Sequence, residues 1–323
     1  MKTRTRVAVV GLGVIGAVHV RILRNLGYEI AAVCDVDTSR FDAYPEYAHY
    51  TDYNAMLTDL RPDSVHICTP HYLHAEMVVA ALNMGINVLC EKPLCISALE
   101  IEEILKAERN STAILGVVHQ NRYVPANTYV KEYLKDKKVL CGTGFVAWHR
   151  DEKYYDSAEW RGKWKTEGGG VLINQALHTL DLLQWYVGFP EYAAAVLGNL
   201  SLADAVEVED TASVICSGKA DFSFFATNAS VKDFDVEVTL KTDNETIRIQ
   251  PNCAVIDGEF KKFDSRTQVY AKKCYGSGHE NLIADFYDCI ADGKKFWIDG
   301  EEGAKVIRLI LAAYKSEGKR VRV

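Results

Sequence analysis

The chain has 323 residues, of which 48% are hydrophobic and 25% charged, the balance of a soluble globular protein long enough for about two domains. Its net charge of −7, with lysines and arginines scattered among acids, excludes a phosphate-neutralising nucleic-acid surface and points to a small ligand. Nine cysteines, an odd number without a CxxC pair, signal neither a disulfide framework nor a zinc cage; Cys34 and Cys68 sit inside apolar runs, as reduced thiols of a cytosolic protein do.

Up to about residue 120, short apolar runs alternate with helical patterns. The spacing predicts strands over 6–10, 29–35, 64–68, 87–90 and 113–118, and helices over 13–25, 53–60, 74–84 and 98–109. Such alternation implies parallel strands covered by helices on both faces, a doubly wound α/β sheet. After Arg122 comes a helix near 126–135, then strands over 142–149, 211–217, 221–231, 235–242 and 245–250. Strands in succession predict an α+β domain with a large, mostly antiparallel open sheet. The expected division is therefore 1–121 and 122–323, with a helix over 301–316 closing the chain near the junction of the two.

The basic residues before "VAVVGLGVIG" could open a secretory signal, but Gly11, Gly13 and Gly16 interrupt the apolar stretch and no small-residue cleavage site follows. No run of about 18 apolar residues suggests a membrane span. The three glycines instead fit G-x-G-x-x-G between a strand and a helix. The first permits the tight turn, the second a close approach of backbone to pyrophosphate, and the third close packing of helix on strand. The free N–H groups of the helix start, at Val14 and Ile15, then face the phosphates. Asp35, 19 residues beyond Gly16, ends the next strand where a carboxylate accepts from a ribose diol and repels a 2′-phosphate, favouring NAD over NADP; Asp37 is the alternative.

Glu91, Lys92 and Pro93 follow the strand over 87–90, at the sheet edge where ligands bind in open α/β folds. A lysine partly withdrawn from water there has a lowered pKa or holds a substrate oxygen, unless it is an ordinary surface lysine; Pro93 fixes the turn, with a cis bond as one way of doing so.

Taken together, "GLGVIGAVHV", "VHICTPHYLHAEMVVAALNMGINVLCEKP", "HQNRY", "WRGKWKTEGGGVLINQALHTLDLLQW" and "ENLIADFYDCIADGK" resemble the Gfo/Idh/MocA oxidoreductases across essentially the whole chain. The resemblance implies that Lys92 and His178 flank the nicotinamide and the reacting carbinol, and that Thr69, Pro70 and His74 form a turn contacting the cofactor together with Glu91. It also implies that Trp160 and Arg161 reach back toward the cofactor. Asn121, counted with the cofactor residues, and Arg122 stand where the chain crosses between domains. The spacing of Asn174, His178, Asp181 and Trp185 (i, i+4, i+7, i+11) predicts one helix face carrying all four, and Gly168 to Gly170 permit close approach of backbone to ligand. Many relatives have Asp where this chain has Asn174, which orients an imidazole or a hydroxyl but cannot stabilise an imidazolium by charge.

The expected site therefore has Lys92, His178 and Asn174 as catalytic residues, with Arg122, His149, Asp151 and Tyr155, alongside Tyr154, lining a polyol pocket. The expected reaction is NAD-dependent hydride transfer from a secondary alcohol of a sugar, sugar derivative or cyclitol, with His178 as base and Lys92 stabilising the oxygen. An NAD-retaining glycosidase or epimerase, using transient oxidation, and a non-catalytic NAD sensor are the alternatives. No metal is expected, since His71 and His74 lack companion ligands at metal spacing. A free face on the second sheet predicts a homodimer or homotetramer.

Overall fold

The computed structural model describes residues 5–263 and 278–323, so Cys274 lies outside the described residues. The chain divides into two compact units, residues 1–119 with 268–304 and residues 120–267 with 305–323.

In the first unit, six parallel strands are arranged in the order β3-β2-β1-β4-β5-β6. They are β1 (Arg6–Val10), β2 (Glu29–Cys34), β3 (Ala48–Tyr50), β4 (Ser64–Ile67), β5 (Asn87–Cys90) and β6 (Leu115–Val117). The connecting helices are α1 (Val14–Leu26), α2 (Tyr53–Leu60), α3 (His74–Asn83) and α4 (Ala98–Asn110). β4 and β6 are buried along their whole length, which accounts for continuous apolar runs where an exposed sheet face would give alternation. Side chains at the caps define the boundaries: Asp52 accepts from the N–H of Ala55 ahead of α2, and Ser97 from that of Glu100 ahead of α4. Only β3, three residues with an exposed pattern, escapes the sequence reading.

The order of strands reverses between β1 and β4, and the carboxyl edge there is where a doubly wound sheet opens a crevice. Two glycines make that edge possible. Gly11 has φ +83° and donates to Cys34 O, and a Cβ on it would lie 2.5 Å from Cys68 O. A Cβ on Gly16 would lie 1.8 Å from Gly11 O, so α1 sits on the β1 turn at a distance only glycine allows.

The second unit is a nine-stranded sheet of order β14-β13-β12-β11-β7-β10-β9-β8-β15, antiparallel except for β7 beside β10. Its strands are β7 (Val139–Ala147), β8 (Tyr192–Gly198), β9 (Thr211–Ser217), β10 (Phe222–Thr227), β11 (Glu237–Thr242), β12 (Thr246–Gln250), β13 (Cys253–Ile256), β14 (Glu259–Lys262) and β15 (Val321–Arg322). Helices α5 (Pro125–Tyr133), α6 (Glu152–Asp156), α7 (Trp164–Glu167) and α8 (Leu177–Val187) precede β8. Glycine lets α8 close onto the sheet: a Cβ on Gly144 would lie 2.7 Å from Leu183. Opposite α8, alternation leaves Phe145, Val196, Ile215 and Phe225 facing outward.

Two long helices end the chain, α9 (Gly278–Asp292) and α10 (Gly300–Ser316). A single boundary at 121/122 assigns both to the second domain, whereas α9 belongs to the first unit and the division falls inside α10, between 304 and 305. The reason is packing: a Cβ on Gly116 of β6 would lie 2.8 Å from Phe286, and Val117 N–H donates to Ile298 O at 2.9 Å.

Replacing Gly16 by Ala should force α1 away from the β1 turn and destabilise the protein by roughly 1–3 kcal/mol, the range of overpacking. Urea denaturation is the check: an unshifted midpoint would show that the turn tolerates a methyl group.

Candidate functional site

In the first unit, four candidate elements share the carboxyl edge of the sheet: the glycine turn after β1, Asp35 after β2, Thr69 and Pro70 after β4, and Glu91 to Pro93 after β5. Gly13 caps the start of α1, which has neither a side-chain cap nor an acid in its first turn. A Cβ on Gly13 would meet only Arg40 Nη1, at 3.5 Å, so backbone there is open to approach. The Asp35 carboxylate accepts from the N–H groups of Leu12 (2.6 Å) and Asp37 (2.9 Å), tying the end of β2 to the glycine turn. Asp37 instead caps the following 3-10 turn through Ser39 and pairs with Arg40, so its carboxylate serves local structure. An open glycine turn, a helix start without a side-chain cap and an acid at the end of β2 fit a dinucleotide. Arg40, missed by the sequence reading, lies 3.7 Å from Asp35.

Two residues expected at the cofactor have other partners. His74 is buried, with ring nitrogens 2.7 Å from Pro93 O and 2.9 Å from Thr69 O, and so braces the β4 turn against the β5 turn. Glu91 is buried too, directed at His19 (3.0 Å) and His279 (3.5 Å). Burial pushes its carboxyl up, but the bonds from His19 and His279 outweigh that and hold it well below the usual carboxylate range. These three are the one group among the described residues with donor atoms placed to hold a metal, a grouping that no sequence spacing signals. The Lys92–Pro93 bond is cis, and Lys92 is the one partly exposed residue from Glu91 to Cys95.

In the second unit, α8 begins at Leu177, so Asn174 stands on the turn before it, bonded N–H to O with Gly170, and not on the helix face with His178. From Glu167 to Gln184 every residue is buried except Asn174 and His178. Glu167 receives the Asn174 side-chain amide and the Gly162 N–H. Gln120 places its amide 3.0 Å from His178 Nε2. Neither partner was among the expected residues, although Gln120 falls within the HQNRY motif.

Two of the three glycines serve packing, while Gly168, at φ +85°, ends α7. A Cβ on Gly169 would lie 2.0 Å from Tyr314 Oη, and one on Gly170 1.8 Å from Glu209 O. Glu209 accepts from Gly170 N–H (2.9 Å), Leu172 N–H (3.0 Å) and Tyr314 O–H (2.9 Å). Burial nonetheless dominates and pushes its carboxyl up to about 7.

Two further expectations are corrected. Arg122 is not a pocket residue: its guanidinium forms a bidentate pair with Asp181, at 2.8 and 2.6 Å, in the interior. Tyr155 packs with Leu202, Val206 and Val208, and its hydroxyl accepts from Asn228. The partly exposed neighbour Tyr154 receives the Gln175 amide at 3.0 Å, with Arg161 stacked 4.3 Å from its ring. The Arg161 guanidinium also lies 4.9 Å from the Trp160 ring. His149 and Asp151 are exposed; His149 Nδ1 bonds Ser230 O, and Asp151 caps α6. Asn121 is partly exposed, and its carbonyl accepts from Asn127.

Two family models match the chain: an oxidoreductase family NAD-binding Rossmann fold over residues 5–119, and the C-terminal alpha/beta domain of the same Gfo/Idh/MocA family over 139–323. The fold is similar to the WlbA dehydrogenase of Bordetella pertussis, solved with NADH and UDP-GlcNAcA (TM-score 0.87, 26% identity, 99% of each chain covered). Among curated proteins, an inositol 2-dehydrogenase of Salmonella paratyphi B is 28% identical over 56% of this chain and 54% of its own length. The D-glucoside 3-dehydrogenase of Escherichia coli is 29% identical over 57% and 54%. The chain thus spans about half the length of the curated relatives it matches.

Glu209, neutral below its raised pKa, should make the protein lose stability as pH climbs. Its unfolded-state pKa is about 4.3, so the loss begins there, is complete just above 7, and is on the order of 3 kcal/mol. Urea midpoints at pH 5 and pH 8 should differ in this sense, and Glu209→Gln should reduce the difference; an equal difference in the variant would refute the assignment.

Proposed function

Because the chain belongs to the Gfo/Idh/MocA oxidoreductase family, we propose that it is an NAD-dependent dehydrogenase acting on a secondary alcohol of a sugar, sugar derivative or cyclitol. The observation that carries this reading is the selective exposure of Asn174 and His178 in an otherwise buried run of eighteen residues, Glu167 to Gln184. A helix serving only the core has no use for a partly exposed histidine and a partly exposed asparagine in this run.

NAD, when bound, supplies the hydride acceptor. The Gly11–Gly13 turn and the start of α1 hold its phosphates, and Asp35 holds a ribose diol. His178 takes the proton of the substrate hydroxyl, help worth roughly 10²- to 10⁴-fold in rate. Lys92 stabilises the oxygen as negative charge develops on it. Asn174, whose side-chain amide nitrogen donates to Glu167, hydrogen-bonds a substrate hydroxyl. The relatives named for inositol and D-glucoside support a polyhydroxylated substrate.

Among the described residues no helix is long and apolar enough to cross a membrane, and the described cysteines are all free thiols. The free thiols support a protein of a reducing compartment, the cytosol. The outward face of the second sheet supports a homo-oligomer. Phe145 and Phe225 stack there at 5.9 Å and are 41% and 37% exposed, beside Ile215 and Val196 at 64% and 70%.

Lys92→Ala and His178→Ala should each lower NADH formation by about 10²-fold or more while NAD affinity changes little. Assays over a panel of sugars and cyclitols, with NAD binding followed by fluorescence, measure both; unchanged turnover in the two variants would end the mechanism. Light scattering should give a mass above the 36.1 kDa of one chain. Phe225→Glu should return the protein to that single mass, and a wild-type monomer would refute the sheet-face interface.

A further inference from the structure

On the second unit, positive charge gathers around the ring of Tyr154, beside the turn that holds Asn174. The Arg161 guanidinium lies over that ring at 4.3 Å from its centre, and the Arg150 guanidinium at 5.3 Å. Arg150 has a counter-charge, Asp233, 3.0 Å from its Nη1. Arg161 has none: among the described residues no carboxylate lies within ion-pair distance of it. Its Nη1 donates to the Tyr154 hydroxyl, and its Nε, like that of Arg150, is closed off from solvent without a hydrogen-bond partner. The neighbouring acid, Glu167, accepts from the Asn174 amide and the Gly162 N–H.

Hydrogen bonds add to the imbalance. Gln175 accepts the Asn228 amide on Oε1 at 3.0 Å, which turns its own amine toward Tyr154 Oη, also at 3.0 Å. The Tyr154 oxygen therefore faces two donors, Arg161 Nη1 and Gln175 Nε2, with Asn174 Nδ2 as a third at 3.5 Å. A phenol oxygen has two acceptor lone pairs and one proton of its own. Here Arg161 and Gln175 fill the lone pairs, and the proton has no acceptor among the described residues. The phenol O–H and the remaining N–H groups of Arg161 thus stand together as donors with nothing to accept from them. An unmatched donor and an unpaired guanidinium drawn partly out of water both cost free energy until an acceptor arrives. The group that answers a guanidinium fork beside a hydroxyl is an oxyanion with two or more oxygens.

We propose that Arg161 and Tyr154 form a subsite for an acidic substituent of the substrate, so that the protein takes an acidic sugar in preference to a neutral polyol. The oxygens of a carboxylate or phosphate accept from the Arg161 fork and the Tyr154 hydroxyl, and Arg150 adds positive charge beside the same ring. The proposal rests on the reading of Asn174 and His178 as substrate residues. Tyr154 Oη lies 3.5 Å from Asn174 Nδ2, so an acid at one and a hydroxyl at the other belong to a single sugar.

The test sets D-glucuronate and D-glucose 6-phosphate against D-glucose, using the full chain with NAD, with calorimetry for binding and NADH formation for turnover. At least one acid should bind about tenfold or more tightly than glucose, and added salt should weaken that acid and not glucose. Which acid binds tells a carboxylate site from a phosphate site. Arg161→Met should remove the advantage of the acid, and Arg161→Lys should restore part of it. Tyr154→Phe, which keeps the ring and removes the O–H, should lower the advantage by about three- to tenfold. Equal binding of acid and glucose by the wild-type protein would overturn the proposal, as would an equal loss of both in Arg161→Met. A raised KM for NAD as the sole effect of Arg161→Met would also overturn it and assign the guanidinium to the cofactor. If the acid binds preferentially but no NADH forms, the subsite stands and the dehydrogenase reading falls; NADH from glucose without any preference for acid does the reverse.

Discussion

A carboxylate without water must find its hydrogen bonds inside the protein, and the segments carrying the candidate chemistry are built around such groups. A desolvated, unpaired anion costs several kcal/mol, so the donors around it are drawn into fixed places. Glu91 collects His19, His279 and the Lys92 main chain. In the second unit the Glu209 carboxyl, which burial keeps protonated up to about pH 7, collects the N–H groups of Gly170 and Leu172 together with the Tyr314 hydroxyl. Glu167 collects Gly162 and the Asn174 amide. In each case the carboxylate itself faces inward, and a residue at or near its donors faces out.

The same arrangement separates buried support from partly exposed side chains. Asp181 is buried with Arg122, one helical turn from His178, and anchors α8 from behind. The glycines before α8 admit Glu209 and Tyr314 against the main chain, so the turn holding Asn174 is packed on both sides. Main chain held this way leaves the accessible side chains little freedom of placement, the condition under which a base and an oxyanion partner are effective.

The doubly wound sheet was legible because burial on both faces leaves continuous apolar runs, and helix boundaries because Asp52, Ser97 and Gly27 are residues that cap. The second sheet was legible where one face stays wet, in β9 to β12. Short or wholly exposed strands such as β3 and β14 carry no period to read. Lys92, His178 and Asn174 stood out because strand ends, glycine turns and motif spacing are local properties. Their supports did not: His19 and Glu91 are 72 residues apart.

By itself, the sequence determined the order of elements, the dinucleotide turn and the residue types available for proton transfer, since each depends on neighbours within a few positions. Only the tertiary structure decided which polar residues point inward. It moved Arg122, Tyr155, Glu91 and His74 from expected ligand contacts to internal bonds, and it drew α9 into the first unit. Whether an arginine or a glutamate faces solvent or a buried partner turns on what the rest of the chain brings to it, and that partner can lie anywhere in the sequence.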